Sequence, residues 1–511
     1  MAERILIRAR EYHDSVRLMR VSEAIRKSPG VTEAMVMMAT PNNKKILGNA
    51  GLLSGEAEAA RADDLIIALI ADCEANAATA LELAEDSLAQ KPGGAAGVAL
   101  PRTLDAAQAA TPGANVVAIS VPGEHAYREA KRALELGLNV FLFSDNVALE
   151  DERRLKELAA EKNRLVMGPD CGTAIIGGAC LGFANKVRPG KVGVIGASGT
   201  GTQEITSLLD WLGAGLSHAI GTGGRDLKAE IGGATMLQAL DLLAADPGTE
   251  VIAITSKPPS AEVAEKVVAA CRAVGKPVVI NFLGLGRTGT EGNVTFTDTL
   301  AETALAAARL IGANDELPAL SEEEAETYLA AARAKRTGGQ KYLRGLYAGG
   351  TLCYEALLGL KELKVQSNLS AGAGPLPDLF TSVGHTVIDM GEDDYTDGRP
   401  HPMIDPGLRN QRILKEAADP EVALLLLDLV IGYAAHEDPA ESLARTLTEA
   451  RASAAEAGRE LPVIVTICGT EADPQDHAAQ VARLETADIL VTRSNAEAVR
   501  LAAAYLEDIH G

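Results

Sequence analysis

Short apolar runs alternate with longer amphipathic stretches along most of the chain. Runs such as NVVAIS, NVFLF, VIAIT and VALLLLDLV end in glycine, proline or polar residues, and a helical pattern follows each of them. Strands that alternate with helices in this way form parallel sheets with helices on both faces. The pattern therefore predicts an α/β protein that is built mainly from doubly wound parallel sheets.

The same pattern divides the chain into segments. Strand and helix patterns near the start suit a small α+β domain, and the Pro/Gly-rich stretch KPGGAAGVA after it marks a joint. The charged stretch SEEEAETYLAAARAKR predicts a helical connector. The predicted segments are a ferredoxin- or ACT-like α+β domain at 1–90, a Rossmann-like domain at 100–188, a flavodoxin-like domain at 189–312, the connector at 313–340 and a second flavodoxin-like domain at 341–511.

Three sequence echoes indicate that the two flavodoxin-like domains are copies. GVIGASGTGTQE is echoed by GLYAGGTLCYE, LAADPGTEVIAITSKPPS by EAADPEVALLLLDLVIGY, and KPVVINFLG by LPVIVTICGT. The echoes fall in the same order with comparable spacing, which favours duplication. The alternative is that α/β domains share such patterns in any case.

Composition and charge limit the classes of partner. The formal net charge is −22, and binding to phosphate backbones needs a basic stripe, so we expect neither nucleic acid nor a membrane as a partner. No apolar run approaches the ~20 residues of a membrane span, and the N-terminus lacks the apolar core of a signal peptide. The six cysteines are scattered without Cys-x-x-Cys or Cys/His ligand spacing. We expect a cytoplasmic protein with free thiols and without a bound metal.

Two glycine-rich turns are the strongest candidates for ligand binding. Each follows a strand and opens a helix, where backbone N–H groups and the helix dipole favour an anion. The first turn has neither a Walker A lysine nor the Gly-x-Gly-x-x-Gly spacing, so nucleotide binding by this turn is not expected. The alternative is that the glycines only allow tight packing. The predicted phosphate-binding residues are Ser198, Gly199, Thr200 and Gly201 in the first turn and Gly349, Gly350 and Thr351 in a second, facing turn.

Other polar residues lie near predicted strand ends, where ligands of open α/β sheets bind. The sequence predicts a substrate-binding group at Gly223, Gly224, Arg225 and Asn281, in which Arg225 could clamp a phosphate or carboxylate. The candidate catalytic residues are Lys257 in SKPPS, Arg399 and His401 in the Pro-rich loop GRPHPMID, and His436 in GYAAHEDPA. Surface, loop or helix-capping roles remain the alternatives for all of them.

These motifs resemble a known family. GPDCGTAIIGG, GKVGVIGASGTGTQE and IGTGGRDL resemble the α subunit of succinyl-CoA synthetase, and the last domain resembles the C-terminal domain of its β subunit. The whole chain is similar to FdrA proteins, fused relatives of those ligases, which implies that the 100–188 domain is of the CoA-binding type. The family's phosphohistidine would follow the strand in KPVVINFLGLGRTG, but residues 281–289 contain no histidine, and no segment is long enough for its ATP-grasp domain.

The resemblance implies a subunit of an enzyme that transfers a carbamoyl or acyl group through an acyl phosphate. The specific prediction is oxamate carbamoyltransferase, which converts carbamoyl phosphate and oxamate to oxalurate and phosphate in allantoin breakdown. An acyl-CoA synthetase completed by another chain and a non-catalytic scaffold or regulatory subunit are the alternatives. We expect no tightly bound cofactor, phosphohistidine or ATP site in this chain, leave CoA binding open, and expect small-molecule substrates, other subunits or further copies of the chain as partners.

Overall fold

A computed structural model of the chain describes residues 2–11, 13, 15–49, 51–89, 101–317, 320–396 and 399–510. The chain forms two compact units. The first contains the described part of residues 1–100 together with 390–407, and the second contains residues 101–389 and 408–511. Each unit has its own sheets and core.

The strands, in chain order, are β1 (Ala2–Arg8), β2 (Val31–Met38), β3 (Leu65–Ala71), β4 (Val116–Ile119), β5 (Asn139–Leu142), β6 (Val166–Met167), β7 (Thr173–Ile176), β8 (Ala179–Gly182), β9 (Pro189–Ala197), β10 (Leu216–Gly221), β11 (Val251–Ser256), β12 (Val278–Phe282), β13 (Gly289–Glu291), β14 (Val294–Phe296), β15 (Tyr342–Tyr347), β16 (Thr386–Asp389), β17 (Val422–Val430), β18 (Val463–Cys468) and β19 (Leu490–Thr492).

The α-helices are α1 (Ser15–Arg26), α2 (Pro41–Asn49), α3 (Gly55–Ala59), α4 (Glu74–Ala89), α5 (Leu104–Ala110), α6 (Gly123–Glu135), α7 (Leu149–Lys162), α8 (Gly199–Trp211), α9 (Ala234–Ala245), α10 (Ala261–Ala273), α11 (Leu300–Leu310), α12 (Glu322–Lys335), α13 (Gly350–Gly359), α14 (Asp393–Thr396), α15 (Gly407–Ala418), α16 (Pro439–Glu456), α17 (His477–Thr486) and α18 (Asn495–His510). A 3-10 turn at Lys361–Leu363 follows α13.

The first unit is a small α+β domain with an antiparallel sheet in the order β1-β3-β2. Its central strand, β3, is a continuous apolar run because both neighbouring strands and the helices cover it. Apolar side chains of α1 and α4, such as Leu18 and Ala80, pack against Ile67 and Leu69 of this strand. The unit confirms the prediction of a small N-terminal domain.

The second unit contains three sheets. One is the short parallel sheet β4-β5-β6, the second has the order β13-β14-β12-β11-β9-β10-β7-β8, and the third has the order β16-β15-β17-β18-β19. The parallel strands β10-β9-β11-β12-β14 of the second sheet and all strands of the third follow the order 2-1-3-4-5 that defines the flavodoxin-like fold. The prediction of two flavodoxin-like sheets beside a Rossmann-like one is confirmed.

The segment boundaries drawn from the sequence differ from this arrangement in two places. Strands β7 and β8 lie in the predicted Rossmann-like segment, yet they form a hairpin that extends the first flavodoxin-like sheet through antiparallel pairing of β7 with β10. Residues 390–407 lie in the predicted last domain but belong to the first compact unit. A hydrophobic pattern shows that a strand or loop is present, but it does not show which sheet or core the segment joins.

None of the helices in the described part of the chain combines the length and the hydropathy that a membrane span requires.

Candidate functional site

The two glycine-rich turns lie at the carboxyl ends of the central strands of the two flavodoxin-like sheets. Strand β9 ends at Ala197, and Ser198 is the N-cap of α8. Strand β15 ends at Tyr347, and Gly349 is the N-cap of α13. In both copies an apolar strand places a small, flexible turn at the edge of the sheet where ligands of α/β proteins bind.

The turns contact each other directly. The hydroxyl groups of Ser198 and Thr351 form a hydrogen bond with 2.5 Å between their oxygens. The backbone N–H of Thr351 donates to Oγ1 of Thr200 at 3.3 Å. Thr200 and Thr351 occupy the second position of their helices, so the contact joins equivalent residues of the two copies.

The backbone N–H groups of the two turns have different acceptors. In the first turn the Ser198 hydroxyl accepts a hydrogen bond from the N–H of Gly201 at 3.0 Å. The N–H groups of the first residues of a helix have no intrahelical acceptor, so those of Gly199 and Thr200 face the open end of α8. In the second turn the N–H of Gly349 donates to a buried carboxylate, and that of Thr351 donates to Thr200. Side chains of the protein thus already accept the hydrogen bonds of these two N–H groups, and the second, facing phosphate cradle stays a prediction.

The glycines of the first turn differ in how much space surrounds them. A Cβ at Gly201 would lie 2.5 Å from Ser198 Oγ and 2.8 Å from Thr351 Cγ2, so this glycine is required by packing. A Cβ at Gly199 would meet only Thr173 Oγ1, at 3.8 Å, and one at Gly172 would meet only Gly199 Cα, at 3.9 Å. The side of the first turn that faces Gly172 and Thr173 therefore has room for a methyl group, and we refer to it as the open side.

Lys257 lies at the second turn. It directly follows β11, and its ammonium group would be 3.4 Å from a Cβ at Gly350. The carboxylate of Asp389, at the end of β16, lies even closer to this glycine and would collide with the added atom. Lys257 is thus a candidate catalytic side chain that the structure places at one of the paired turns. It supplies a positive charge at the start of α13, where the Asp389 carboxylate also lies.

The carboxylate that accepts the N–H of Gly349 belongs to Asp428, a residue of β17 that the sequence reasoning missed. It is fully buried and accepts hydrogen bonds from the N–H groups of Ala348 at 2.7 Å and Gly349 at 2.6 Å. The guanidinium of Arg409 pairs with it at 2.9 Å. Burial raises the pKa of Asp428, and the neighbouring Arg409 opposes this shift. The signal in the sequence is the single charged residue inside the apolar run VALLLLDLV.

Two buried glutamates connect the copies in a reciprocal way. Glu204 of α8 accepts a hydrogen bond from the N–H of Asn495, the first residue of α18 in the other copy, at 3.0 Å. Glu355 of α13 accepts one from the N–H of Leu300, the first residue of α11, at 2.8 Å. Burial raises the pKa of Glu204 to about 8 and also raises the pKa of Glu355. The echoed segments GVIGASGTGTQE and GLYAGGTLCYE thus each end in a glutamate, and in each copy this glutamate accepts a hydrogen bond from the first residue of the last helix of the other copy.

The predicted substrate-binding group is engaged in the fold. Arg225 pairs with Glu152 at 2.9 Å and donates to the carbonyl of Val147 at 2.8 Å. Gly223 has a φ of +86°, and a Cβ there would collide with the carbonyl of Pro169, so this glycine is required by the turn. A Cβ at the neighbouring Gly224 would lie 3.4 Å from a carboxylate oxygen of Asp170.

Asn281 is likewise held within its sheet. It is fully buried, accepts a hydrogen bond from Thr255 at 3.2 Å and donates to the carbonyl of Thr297 at 3.2 Å. The Asn281 side chain therefore stabilises the carboxyl end of β12 through contacts within the sheet.

The remaining catalytic candidates lie elsewhere in the chain. Arg399 and His401 belong to the first unit, where Arg399 donates to the Asn43 side chain at 3.3 Å and His401 accepts from a backbone N–H two residues later. Burial lowers the pKa of Arg399 to about 10. His436 accepts a hydrogen bond from the N–H of Asp438 at 3.0 Å, at the start of α16. The contact of Arg399 thus connects its loop to α2, whereas the contacts of His401 and His436 stabilise local turns.

Models of known families match the chain in three places. A model described as "AllF, heavy metal-associated domain" matches residues 1–103, "CoA binding domain" matches 187–284, and "CoA-ligase" matches 346–505. The CoA binding match covers the first flavodoxin-like sheet rather than the 100–188 segment. The family that matches residues 1–103 is described as heavy metal-associated, but this segment contains a single cysteine, the exposed Cys73. The described residues also include no group of three or more His, Cys, Asp or Glu that could hold a metal ion, so the donor set does not fit a heavy-metal site.

Similar proteins include one of nearly equal length. The uncharacterized protein YahF of Escherichia coli K12 is 43% identical over 510 residues, 99% of each chain. The alpha subunit of ADP-forming succinate–CoA ligase of Aquifex aeolicus is 28% identical over 179 residues, 34% of this chain and 57% of the relative, so the chain spans about half the length of that subunit. A structure of ATP citrate lyase from Methanothrix soehngenii with citrate and coenzyme A shares 20% identity at a TM-score of 0.33, over 41% of this chain and 37% of that one.

Proposed function

The chain belongs to the FdrA-like family of succinyl-CoA synthetase relatives, and from that premise we propose that it binds a small acyl phosphate at the start of α8 and passes on the acyl group. Its similarity to CoA-ligase subunits makes it a protein of the acyl-CoA ligase type. Because those relatives are subunits, the proposed active complex includes other chains or further copies of this one.

The open N-terminus of α8 is the observation that supports the proposal. Two N–H groups there have no intrahelical acceptor, the Ser198 hydroxyl lies beside them, and a Cβ added at Gly199 would meet only Thr173 Oγ1, at 3.8 Å. Lys257 adds a positive charge at the adjoining turn. These are the groups that stabilise a phosphate dianion at a helix N-terminus.

Neighbouring helices, in contrast, receive the carboxyl group of a side chain of the protein itself. Asp226 accepts from the first N–H groups of α9, Glu355 from α11, Asp428 from the turn before α13, and Glu204 from α18. Helix α8 begins with a serine cap and has no acidic residue in its first turn. An external anion would give α8 the acceptor that these four helices obtain from a carboxyl group of the protein.

The chemistry of an acyl phosphate suits this site. A nucleophile attacks the carbonyl carbon, its bond to that carbon forms, the bond from the carbon to the phosphate oxygen breaks, and the proton of the nucleophile passes to the departing phosphate or to solvent. The N–H groups of α8 would stabilise the charge that develops on the phosphate. With the thiol of CoA as acceptor the product is a thioester, as expected for a ligase-type subunit.

Oxamate is the second acceptor that we propose. Residues 281–289 contain no histidine, which favours direct transfer from an acyl phosphate over transfer through a phosphohistidine. Carbamoyl phosphate already carries an activated carbonyl, so attack by the amide nitrogen of oxamate yields oxalurate and phosphate without a nucleotide. This reaction would assign the chain to oxamate carbamoyltransferase.

Binding and transfer assays test the proposal. Carbamoyl phosphate and inorganic phosphate should bind to the wild-type protein. Ser198→Ala/Thr200→Ala should weaken the binding of both by about two orders of magnitude or more, because each of two hydrogen bonds to a charged group contributes about 1.5–3 kcal/mol. Transfer to oxamate and to CoA is then measured with the chain alone and with co-expressed partner subunits. Unchanged phosphate affinity in a folded double variant, together with no transfer in any complex, would leave the chain as a scaffold subunit.

A further inference from the structure

Equivalent positions beside the two helix N-termini carry different chemistry. In the first copy, Thr255 of β11 lies opposite Gly196 of β9, two residues before Ser198. In the second copy, Leu427 of β17 pairs with Leu346 of β15, so the next residue, Asp428, occupies the position equivalent to Thr255. The duplication thus places a neutral hydroxyl beside one turn and a carboxylate beside the other.

The Asp428 carboxylate has the surroundings of a bound anion. Its two oxygens accept hydrogen bonds from two consecutive backbone N–H groups, those of Ala348 and Gly349, at 2.7 and 2.6 Å. Arg409 reaches both the carboxylate, at 2.9 Å, and the carbonyl oxygen of Asp428, at 2.8 Å. Backbone N–H groups at the start of a helix together with a guanidinium form a donor set that proteins use for phosphate and carboxylate ligands.

The effect of this carboxylate extends to the first turn. Fixing the backbone at Ala348 and Gly349 fixes the direction in which α13 begins, and Thr351 is one residue inside that helix. Thr351 then holds the Ser198 hydroxyl at 2.5 Å and donates its N–H to Thr200 at 3.3 Å. The chain of contacts runs from Asp428 through the backbone of the second turn to the two hydroxyls of the first.

We propose that Asp428, held by Arg409, is a permanent internal anion that occupies the start of α13 and positions Thr351, so that the site binds a single external phosphate at α8. Asp428 is a positioning residue in this scheme, since it touches the second turn and not the ligand. The ligand part of the inference rests on the proposed function, whereas the internal-anion part rests on the contacts of Asp428 alone.

The experiment uses the full-length chain with Asp428→Ala and formate as the probe. Formate has the size and charge of the deleted carboxylate, and formamide is its neutral counterpart. Leu426→Ala is the matched control, because Leu426 is a fully buried residue on the same face of β17. Thermal unfolding and calorimetric binding of inorganic phosphate are measured for each variant, at a temperature where it is folded, and compared with the wild type at the same formate concentration.

The wild type is expected to bind one phosphate per chain. Asp428→Ala should lower the melting temperature and weaken phosphate binding about tenfold, the effect of misplacing one hydrogen bond to a charged ligand, and formate but not formamide should restore both. Leu426→Ala should lower the melting temperature and keep the phosphate affinity. If formate does not restore the melting temperature of Asp428→Ala, the inference that Asp428 is an internal anion is wrong. If Asp428→Ala and Leu426→Ala lose the same amount of phosphate affinity, the inference that Asp428 positions Thr351 is wrong. If the wild type binds no phosphate, the proposed function is wrong. The effect of formate on the melting temperature of Asp428→Ala still shows, in that case, whether Asp428 acts as an internal anion.

Discussion

Replacing Gly199 by alanine separates a ligand role from a packing role. Gly199 is the first residue of α8, and its backbone lies outside the left-handed region that favours glycine. The added Cβ meets only Thr173 Oγ1, at 3.8 Å, an ordinary van der Waals distance. Alanine exceeds glycine in helix propensity by up to about 1 kcal/mol, so the free energy of unfolding should stay the same or rise by less than about 1 kcal/mol.

Binding of an acyl phosphate should change in the opposite direction. The new methyl group occupies the open side of the turn, through which a phosphate oxygen would approach the N–H groups of Gly199 and Thr200. Loss of one hydrogen bond to a charged oxygen costs about 1.5–3 kcal/mol. The dissociation constant for carbamoyl phosphate should therefore rise by about tenfold to about 150-fold.

Two further glycines act as controls in the same assays, urea unfolding and calorimetric titration with carbamoyl phosphate. Gly275 lies in an exposed turn with no atom within 4 Å of an added Cβ, so Gly275→Ala should leave the affinity unchanged. Gly201→Ala should destabilise the protein, because its Cβ would lie 2.5 Å from Ser198 Oγ. A Gly199→Ala protein that binds carbamoyl phosphate as tightly as the wild type would refute a ligand on the open side of the turn.

The remaining predictions concern Lys257, Glu204 and Asn495. Lys257→Met should weaken phosphate binding and reduce its dependence on salt, whereas Lys257→Arg should retain both; equal affinities in all three proteins would contradict a role for the charge. Burial raises the pKa of Glu204 from 4.5 to about 8, so the stability that it contributes is complete below about pH 4.5 and is lost as the pH rises to about 8. The free energy of unfolding relative to Glu204→Gln should fall across that range in urea titrations, and a difference that does not vary with pH would disprove the shift. Asn495→Ala removes the donor to Glu355 and the acceptor of the Tyr347 hydroxyl, so it should cost about 2–4 kcal/mol in the same assay; a cost below about 0.5 kcal/mol would show that these contacts contribute little.

The fold could be predicted from the sequence wherever local pattern decides the outcome. Apolar strands followed by helices predicted parallel sheets, and the echo of GVIGASGTGTQE by GLYAGGTLCYE predicted two similar ones. The strand order bears this out in both flavodoxin-like sheets. The attachment of β7 and β8 to the first of these sheets depends on contacts distant in sequence, which a hydrophobic pattern does not encode.

The candidate site shows the same limit at the level of side chains. The glycine-rich turns were recognisable because strand, glycine and helix follow one another in the chain. The sequence did not show that Gly201 is a packing glycine, because its close neighbour Thr351 is distant in the chain. It also did not show that Asp428 accepts the N–H of Gly349, although an aspartate in an apolar strand is a sign of a buried partner. Arg225 looked like a ligand clamp because its partner, Glu152, lies on a distant helix.

The contacts of the reciprocal glutamates, Glu204 and Glu355, also limit how early the chain can fold during its synthesis. Glu204 and the N–H of Asn495 are 291 residues apart. At about 5–20 residues per second, a ribosome needs roughly 15 to 60 seconds to add the second partner after the first. During that interval α8 exists without the helix whose start its glutamate caps. The first flavodoxin-like sheet therefore reaches its final packing only late in translation, and a nascent chain halted before Asn495 is expected to be more sensitive to proteases than the finished one.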